Sequence, residues 1–285
     1  MTPRRSVLYM PGANARAMEK AQTLACDSII FDLEDAVSAD SKVQAREQVR
    51  AAIEHGSYGD RELIIRINGL DTPWGADDLQ ALASLPVHGL LFPKVERTSQ
   101  VRAIDDALAA AGQPERLRWY MIETPLALLD LRELVMASQH LEALVLGTSD
   151  LVKELRASHT PSRSNLSYAL QRCVVVARAY GLDLLDGVHL DFRNLESFEQ
   201  SCEAALAMGF DGKTLIHPGQ IDIANQVFGP DPDAVAHARR VLAAWDAAQA
   251  DGRGVVELDG QLVENLHADE ARRLIAFAER LQLRG

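Results

Sequence analysis

Ser28-Ile-Ile-Phe-Asp-Leu-Glu-Asp35 sets a nearly continuous apolar run against a cluster of acids. An apolar run without polar alternation is what a parallel strand covered by helices presents. Leu63-Ile-Ile-Arg-Ile67 and Leu144-Val-Leu146 have the same character. Working outward from residue 28, short β-rich runs recur at residues 6–10, 28–33, 62–67, 89–92, 118–122, 143–146, 184–188 and 213–216, about eight in all. Between them lie segments of helical spacing, at 14–25, 42–54, 126–136, 166–179 and 197–208. In the second of these, Val43, Val49 and Ile53 form the apolar face. Asn14, Ser41 and Asn194 stand where helix caps belong, and Gly56, Gly112, Gly181 and Gly209 where helices end. Eight alternations of strand and helix predict an α/β fold, a (β/α)8 TIM barrel, with a doubly wound open sheet as the rival. No early G-x-G-x-x-G supports a dinucleotide fold. From Gln220 the rhythm changes: the turn cluster Phe228-Gly-Pro-Asp-Pro-Asp precedes a helix over 234–249, a loop at 251–254, a short strand and a final helix over 268–283. The expected organisation is a barrel over 1–222 and a C-terminal helical extension over 223–285.

Composition narrows the function. The 285 residues are 47% hydrophobic and 25% charged, ordinary for a globular chain. A net charge of −12 repels phosphate backbones, so no nucleic acid is expected as partner. Three widely spaced cysteines, Cys26, Cys173 and Cys202, form neither a zinc pattern nor a disulfide framework, which suits a reducing cytoplasm. The N-terminal stretch lacks the apolar core of a signal peptide, and no run is long enough to span a membrane.

In a (β/α) barrel the reacting groups come from the C-terminal ends of the strands. Polar residues fall there with regularity: Asp32, Glu34 and Asp35, Arg66 and Asn68, Lys94, Glu123, Thr148 to Asp150, Asp186 to His189, and His217. A ring of acids would repel itself, and a hard cation would hold it together. An all-oxygen donor set favours Mg2+, or Mn2+, over Zn2+. Each residue also has a plainer reading. Glu123 is an exposed strand-end acid or a ligand, and Asp150 a helix N-cap or a ligand. Glu34 and Asp35 are a charge pair at a helix entry or site residues. Arg66, between Ile65 and Ile67, needs a partner inside the barrel or a substrate. Lys94 is a loop lysine or a site cation, and His217 belongs to a turn in either case.

Taken in order, Ser6-Val-Leu-Tyr-Met-Pro-Gly12, Asp32-Leu-Glu-Asp-Ala-Val37 with Lys42 and Ala45-Arg46, Ile65-Arg-Ile-Asn68, Phe92-Pro-Lys-Val95, Ile122-Glu-Thr124, Gly147-Thr-Ser-Asp-Leu151, Asp186-Gly-Val188 and Gly209-Phe-Asp-Gly-Lys-Thr-Leu-Ile-His-Pro-Gly-Gln220 resemble the citrate lyase β-subunit-like family of CoA-ester lyases, the HpcH/HpaI aldolase group. The resemblance covers nearly the whole chain. It implies a TIM barrel in a homotrimer or hexamer, with Mg2+ on Glu123 and Asp150. It implies that Glu34 and Asp35 support the metal's waters and that Arg66 meets the substrate, a CoA thioester of a small hydroxy acid. Malyl-CoA thioesterases belong to the same wider group. Two departures stand out. The family often carries Gly-x-Met-Ile-Asp-x-Pro in the tail, its Asp reaching a neighbouring subunit as acid/base. Here Gly260-Gln-Leu-Val-Glu-Asn puts Glu264 in that place, without the proline, and Ala127 replaces a usual glycine after Glu123. The tail and Gly147-Thr-Ser-Asp-Leu-Val-Lys-Glu-Leu155 resemble the branch of citramalyl-CoA lyases. The expected reaction is (S)-citramalyl-CoA to acetyl-CoA and pyruvate, with Arg66 on the enolate oxygen, Glu34 or Asp35 taking the hydroxyl proton, and Glu264 as acid. Arg16 and Lys20 are expected at the CoA phosphates. The alternatives are a malyl- or citryl-CoA lyase, a malyl-CoA thioesterase, and a citrate lyase β subunit working with an acyl-carrier partner.

Overall fold

The computed structural model describes residues 2–283. Eight parallel strands close into a barrel in sequence order: β1 Ser6–Pro11, β2 Ser28–Asp32, β3 Glu62–Arg66, β4 Gly89–Phe92, β5 Leu117–Ile122, β6 Leu141–Leu146, β7 Asp183–Asp186 and β8 Gly212–Leu215. The last pairs with the first, Val7 opposite Thr214. The helices between them are α1 Ala15–Ala21, α2 Lys42–His55, α3 Gly75–Leu82, α4 Thr98–Ala110, α5 Pro125–Leu129, α6 Leu131–Ala137, α7 Thr148–Glu154, α8 Ser167–Tyr180, α9 Leu195–Met208 and α10 Ile221–Val227. The expected TIM barrel is the observed fold.

Strand alternation divides the core in two. Val7, Ile30, Ile64, Leu91, Trp119, Met121, Ala143, Val145 and Leu185 fill the barrel's interior. Their neighbours Leu8, Phe31, Ile65, Phe92, Tyr120, Leu146 and Leu215 point outward and pack under the helices. Each such buried side chain contributes roughly 1.5–3 kcal/mol. At the N-terminal end of the strands Arg4 grips Glu62 through Nε and Nη2 at 2.9 and 2.6 Å, and also meets Glu142 and Asp183. Its guanidinium lies 4.8 Å over the Trp119 ring. These partners start β2, β3, β6 and β7 or lie just inside them, since Ser28 Oγ also donates to Glu62 at 2.8 Å. The cluster closes the bottom of the barrel and leaves the other end for the site.

Several boundaries differ from the sequence reading. The strand expected over 184–188 ends at Asp186, and the first helix stops at Ala21 rather than 25. Asn14 and Asn194 do cap their helices, accepting from Ala17 N and Ser197 N. Ser41 does not: a 3-10 turn over Ala39–Ser41 leads straight into α2, and its hydroxyl receives Ser38 Oγ instead. Gly181 and Gly209 end helices in the left-handed conformation, while Gly56 is extended. The chain divides into Arg4–Phe228 and a second unit from Gly229 onward. The break falls past 222 because α10 packs on α9, β1 and β8. In the second unit α11 Pro232–Ala250 packs on α12 Asn265–Gln282, joined through an antiparallel hairpin of β9 Val256–Leu258 and β10 Gln261–Val263. Trp245, Val241, Val263 and Ala268 form its core. Among the described residues no helix is long and apolar enough to cross a membrane.

Candidate active site

At the C-terminal end of the strands lies a cavity of about 340 Å³, lined by Tyr9, Asp32, Asp35, Arg66, Glu123 and Asp150 among others. The inward parity of β2 and β3 carries Ile30 to Asp32 and Ile64 to Arg66, and the register sets those two end residues directly opposite each other. Arg66 donates from Nε and Nη2 to the two oxygens of Asp32 at 2.7 and 2.6 Å. Its Nη1 reaches Glu34 at 2.9 Å and Met121 Sδ at 3.3 Å, and Asp35 lies 3.7 Å away. The guanidinium stacks 4.8 Å from the Tyr9 ring. Arg66 is therefore both the interior ion pair and a cavity wall. A guanidinium has five N–H groups, and this arrangement leaves one on Nη2 uncommitted and one on Nη1 facing only a thioether.

Asp32 also shapes the loop behind it, accepting from Glu34 N and Ala36 N at 2.9 and 3.2 Å. Lys42, at the start of α2, donates to the carbonyls of Leu33 and Glu34, both at 2.7 Å. The result aims Glu34 inward. Its carboxyl is held between Arg66 and Lys94 Nζ, the latter at 2.7 Å. Burial raises its pKa against the pull of those two cations.

Lys94 links the remaining acids. Its Nζ stands 4.0 Å from Asp35 and 3.9 Å from Asp150. Burial works against its charge, but the hydrogen bond and charge of Glu34, with Asp35 and Glu123 beyond, raise its pKa overall. The backbone of Lys94 sits at φ 52°, in the left-handed region, and its N–H donates to Glu123 Oε1 at 2.8 Å. That strain of roughly 1–3 kcal/mol serves to aim one N–H at one carboxylate.

Glu123 continues the inward face of Trp119 and Met121 and is 1% exposed. Among the described residues no cation lies within ion-pair distance of it, and the Lys94 N–H is its hydrogen-bond partner. Burial pushes its pKa up to about 7; Glu34 and Asp150 add to the rise, while Lys94 N–H and Arg66 oppose it. Gly147, which caps α7, brings β6 close: a Cβ there would stand 2.3 Å from Glu123 Oε2. Gly147→Ala is expected to displace the carboxylate and lower turnover about 100-fold, the effect of a misplacement near 1 Å. Steady-state kinetics with a Mg2+ titration check this, and unchanged kinetics would contradict the packing argument. Asp150 lies in the first turn of α7, not at its cap, with its side chain 29% exposed.

A buried acid without a cation and a second acid at the same cavity suit a hard divalent ion. Among the described residues no cluster of three or more His, Cys, Asp or Glu is disposed as a full shell. Two carboxylates are what Mg2+ takes when waters and substrate complete its octahedron. Glu123 and Asp150 are the residues that could hold it.

Not every polar strand end joins the cavity. Asp186 follows Leu185, which points inward, and so points outward, where Lys213 Nζ pairs with it. The expected convergence fails there because side chains alternate along a strand. Asn68 bonds Asp78, which also holds Arg46. His217 caps a turn, its Nδ1 accepting from Gly219 N at 3.0 Å, and its ring stacks on Phe192. Arg16 and Lys20 lie one turn apart on the exposed face of α1 and do not line the cavity. Glu264 lies in the second unit at the N-cap of α12, exposed, its N–H donating to His267 Nδ1 at 3.0 Å. Sequence reasoning counted Asp32 among the strand-end acids without giving it a role, and passed over Tyr9. The signal was the period of two: Ile30 to Asp32 and Val7 to Tyr9 keep to the interior face.

A closed parallel barrel with acids and cations from neighbouring strand ends gathered at its C-terminal mouth defines a (β/α)8-barrel enzyme. The comparison with known proteins names which. Residues 5–218 match the HpcH/HpaI aldolase/citrate lyase family, and the chain belongs to that family, a family of CoA-ester lyases. It is 46% identical to a (3S)-malyl-CoA thioesterase of Cereibacter sphaeroides over 97% of this chain and 95% of the relative. It is 36% identical to the citrate lyase subunit beta of Escherichia coli over 97% and 93%. The Mycobacterium tuberculosis protein CitE, solved with magnesium, acetoacetate and coenzyme A, superposes with a TM-score of 0.77 at 28% identity, covering 96% of this chain and 97% of that one.

Proposed function

We propose that this chain is a Mg2+-dependent carbon–carbon lyase acting on a CoA thioester of a small hydroxy acid, with (S)-citramalyl-CoA as favoured substrate. One observation carries the reading. Every carboxylate and guanidinium lining the cavity belongs to a single cluster joined through Arg66 and Lys94. Carbon–carbon cleavage needs a base and positive charge around one hydroxyl-bearing carbon, which one cluster serves. The rest of the lining, including Pro11, Met121, Val188 and Ile216, offers an apolar surface for the methyl group.

Bound at Glu123 and Asp150, Mg2+ would supply positive charge to the oxygens of the hydroxy acid. Asp35 takes the hydroxyl proton. It is freer than Glu34, whose two oxygens are each held by a cation at 2.7 and 2.9 Å. As that proton leaves, the bond to the acetyl carbon breaks and its electron pair passes into the thioester enolate. The uncommitted Nη2 N–H of Arg66 meets the enolate oxygen. Glu264 of a second copy of the chain returns a proton to the enolate carbon, giving acetyl-CoA beside pyruvate. Arg16 and Lys20 meet the CoA phosphates.

The 46% identity to a malyl-CoA thioesterase favours a second reading, hydrolysis of malyl-CoA at the thioester. A product assay with Mg2+ separates the two. Acetyl-CoA with pyruvate from citramalyl-CoA is expected. Acetyl-CoA with a different oxo acid from malyl- or citryl-CoA would move the substrate, and free CoA with intact malate would establish the hydrolase.

A further inference from the structure

The exposed segment 158–165, which follows α7, bonds almost wholly to itself. Asn165 Nδ2 donates to Ser158 O at 2.9 Å, and Thr160 Oγ1 donates to Asn165 Oδ1 at 2.9 Å. The hydroxyls of Ser162 and Ser164 pair at 3.1 Å, and Arg163 N donates to Thr160 O. Among the described residues, Arg163 is the side chain of this segment that reaches the barrel. Its Nη1 and Nη2 donate to the two oxygens of Asp186 at 2.7 and 2.5 Å.

Asp186, 0% exposed at the end of β7, already has a counter-ion in Lys213, 1% exposed. Burial opposes its charge, yet Lys213 and Arg163 together hold its carboxyl below the usual range. The trio carries one positive charge in excess. Arg163 is thus a second counter-ion, and its departure leaves Asp186 neutralised by Lys213. A buried carboxylate stripped of its last partner would be far more costly. Arg163 also holds a left-handed backbone at φ 53°, a strain that needs a compensating contact.

The anchor point adjoins the cavity. Asp186 O accepts from Thr214 Oγ1 at 3.0 Å, and Thr214 lines the cavity with Thr148, Asp150 and Val188. Gly187 presses so close to Thr148 that a Cβ there would stand 2.5 Å from its Oγ1. The helix whose first turn holds Thr148 and Asp150 ends at Glu154, three residues before the exposed segment.

We propose that Arg163 is a positioning residue: it latches segment 158–165 to the end of β7 and so fixes the wall formed by Thr148 and Asp150, without touching the substrate. The proposal rests on the reading of this cavity as the active site. The test compares full-length wild type, Arg163→Gln, Arg163→Lys and Asp186→Asn by hydrogen exchange, melting and kinetics. In Arg163→Gln, amides of the segment are expected to exchange at least about tenfold faster while the barrel strands are unchanged. The Mg2+ concentration for half-maximal rate and KM for the thioester each rise about fivefold or more, and kcat falls with them, because Asp150 is no longer held in place. Arg163→Lys recovers part of both, and Asp186→Asn, which strands Lys213, lowers the melting temperature most. Unchanged exchange in Arg163→Gln overturns the latch. A melting loss in that variant equal to that of Asp186→Asn overturns it too, since Arg163 would then be a structural counter-ion. If wild type turns over no hydroxyacyl-CoA, the exchange result still decides the latch and the fault lies with the functional reading.

Discussion

Glu123→Gln is expected to abolish turnover and, in metal-free protein, to raise stability at neutral and alkaline pH. The two effects share one cause. Glu123 is nearly fully buried with no cation within ion-pair distance among the described residues, and burial lifts its pKa to about 7. Between about pH 4.5 and 7 the folded chain keeps a proton that the unfolded chain has released. This contribution to stability is full below about pH 4.5 and is lost as pH rises to 7. Above that window the ionised acid costs the metal-free fold on the order of 3 kcal/mol. Gln cannot ionise, so the variant escapes the loss. Glu34, also raised by burial, adds a slope of the same sign to wild type and variant alike, so the comparison between them isolates Glu123. Magnesium reverses the order, because it binds the ionised carboxylate and its apparent affinity falls about tenfold per pH unit below 7. Melting curves from pH 5 to about 8.5, with and without Mg2+, read this linkage, and steady-state assays read the loss, expected at about 1000-fold or more. Wild type and variant sharing one pH slope without metal, or a variant that turns over, would each refute the assignment.

Arg66→Gln and Arg66→Lys are expected to fail differently. Gln removes the cation from Asp32, which is 1% exposed and then keeps only two backbone N–H partners. Breaking such a pair from one side destabilises by about 3–5 kcal/mol. Asp32→Asn added to Arg66→Gln returns much of that stability but none of the turnover, because the buried charge is gone while the enolate donor is still missing. Lys keeps the charge and most of the stability. Its single ammonium cannot span both oxygens of Asp32, reach Glu34 and still present N–H to a thioester oxygen, so kcat/KM falls about 100- to 1000-fold. Denaturant melts beside kinetics on all three variants make the check. Arg66→Lys with wild-type kcat/KM would reduce Arg66 to a structural ion pair.

The barrel was legible because its parts are local. An apolar run such as Ser28 to Phe31 and a helical stripe such as Val49 and Ile53 announce themselves within a few residues, whereas Val43, read with that stripe, is 61% exposed because the buried face of α2 runs through Ala45, Val49 and Ile53. Strand-end acids follow from where those runs stop, which is how Glu34, Asp35, Glu123 and Asp150 could be named. The cap at Ser41 and the ends of β7 and α1 were misread, because competing turns settle boundaries at energies below what propensity resolves.

By itself, then, the sequence determined eight strand–helix repeats, acids at the strand ends and membership of the family. The tertiary structure alone decided which of those residues act together. A side chain's face reverses with every residue, so Asp32 enters the cavity while Asp186 leaves it for Lys213 and Arg163. The pairing of Arg66 with Asp32 spans 34 residues, and that of Lys94 with Glu34 spans 60. No local pattern carries such distances, because barrel register, set by closure of the whole sheet, brings those charges within hydrogen-bond reach.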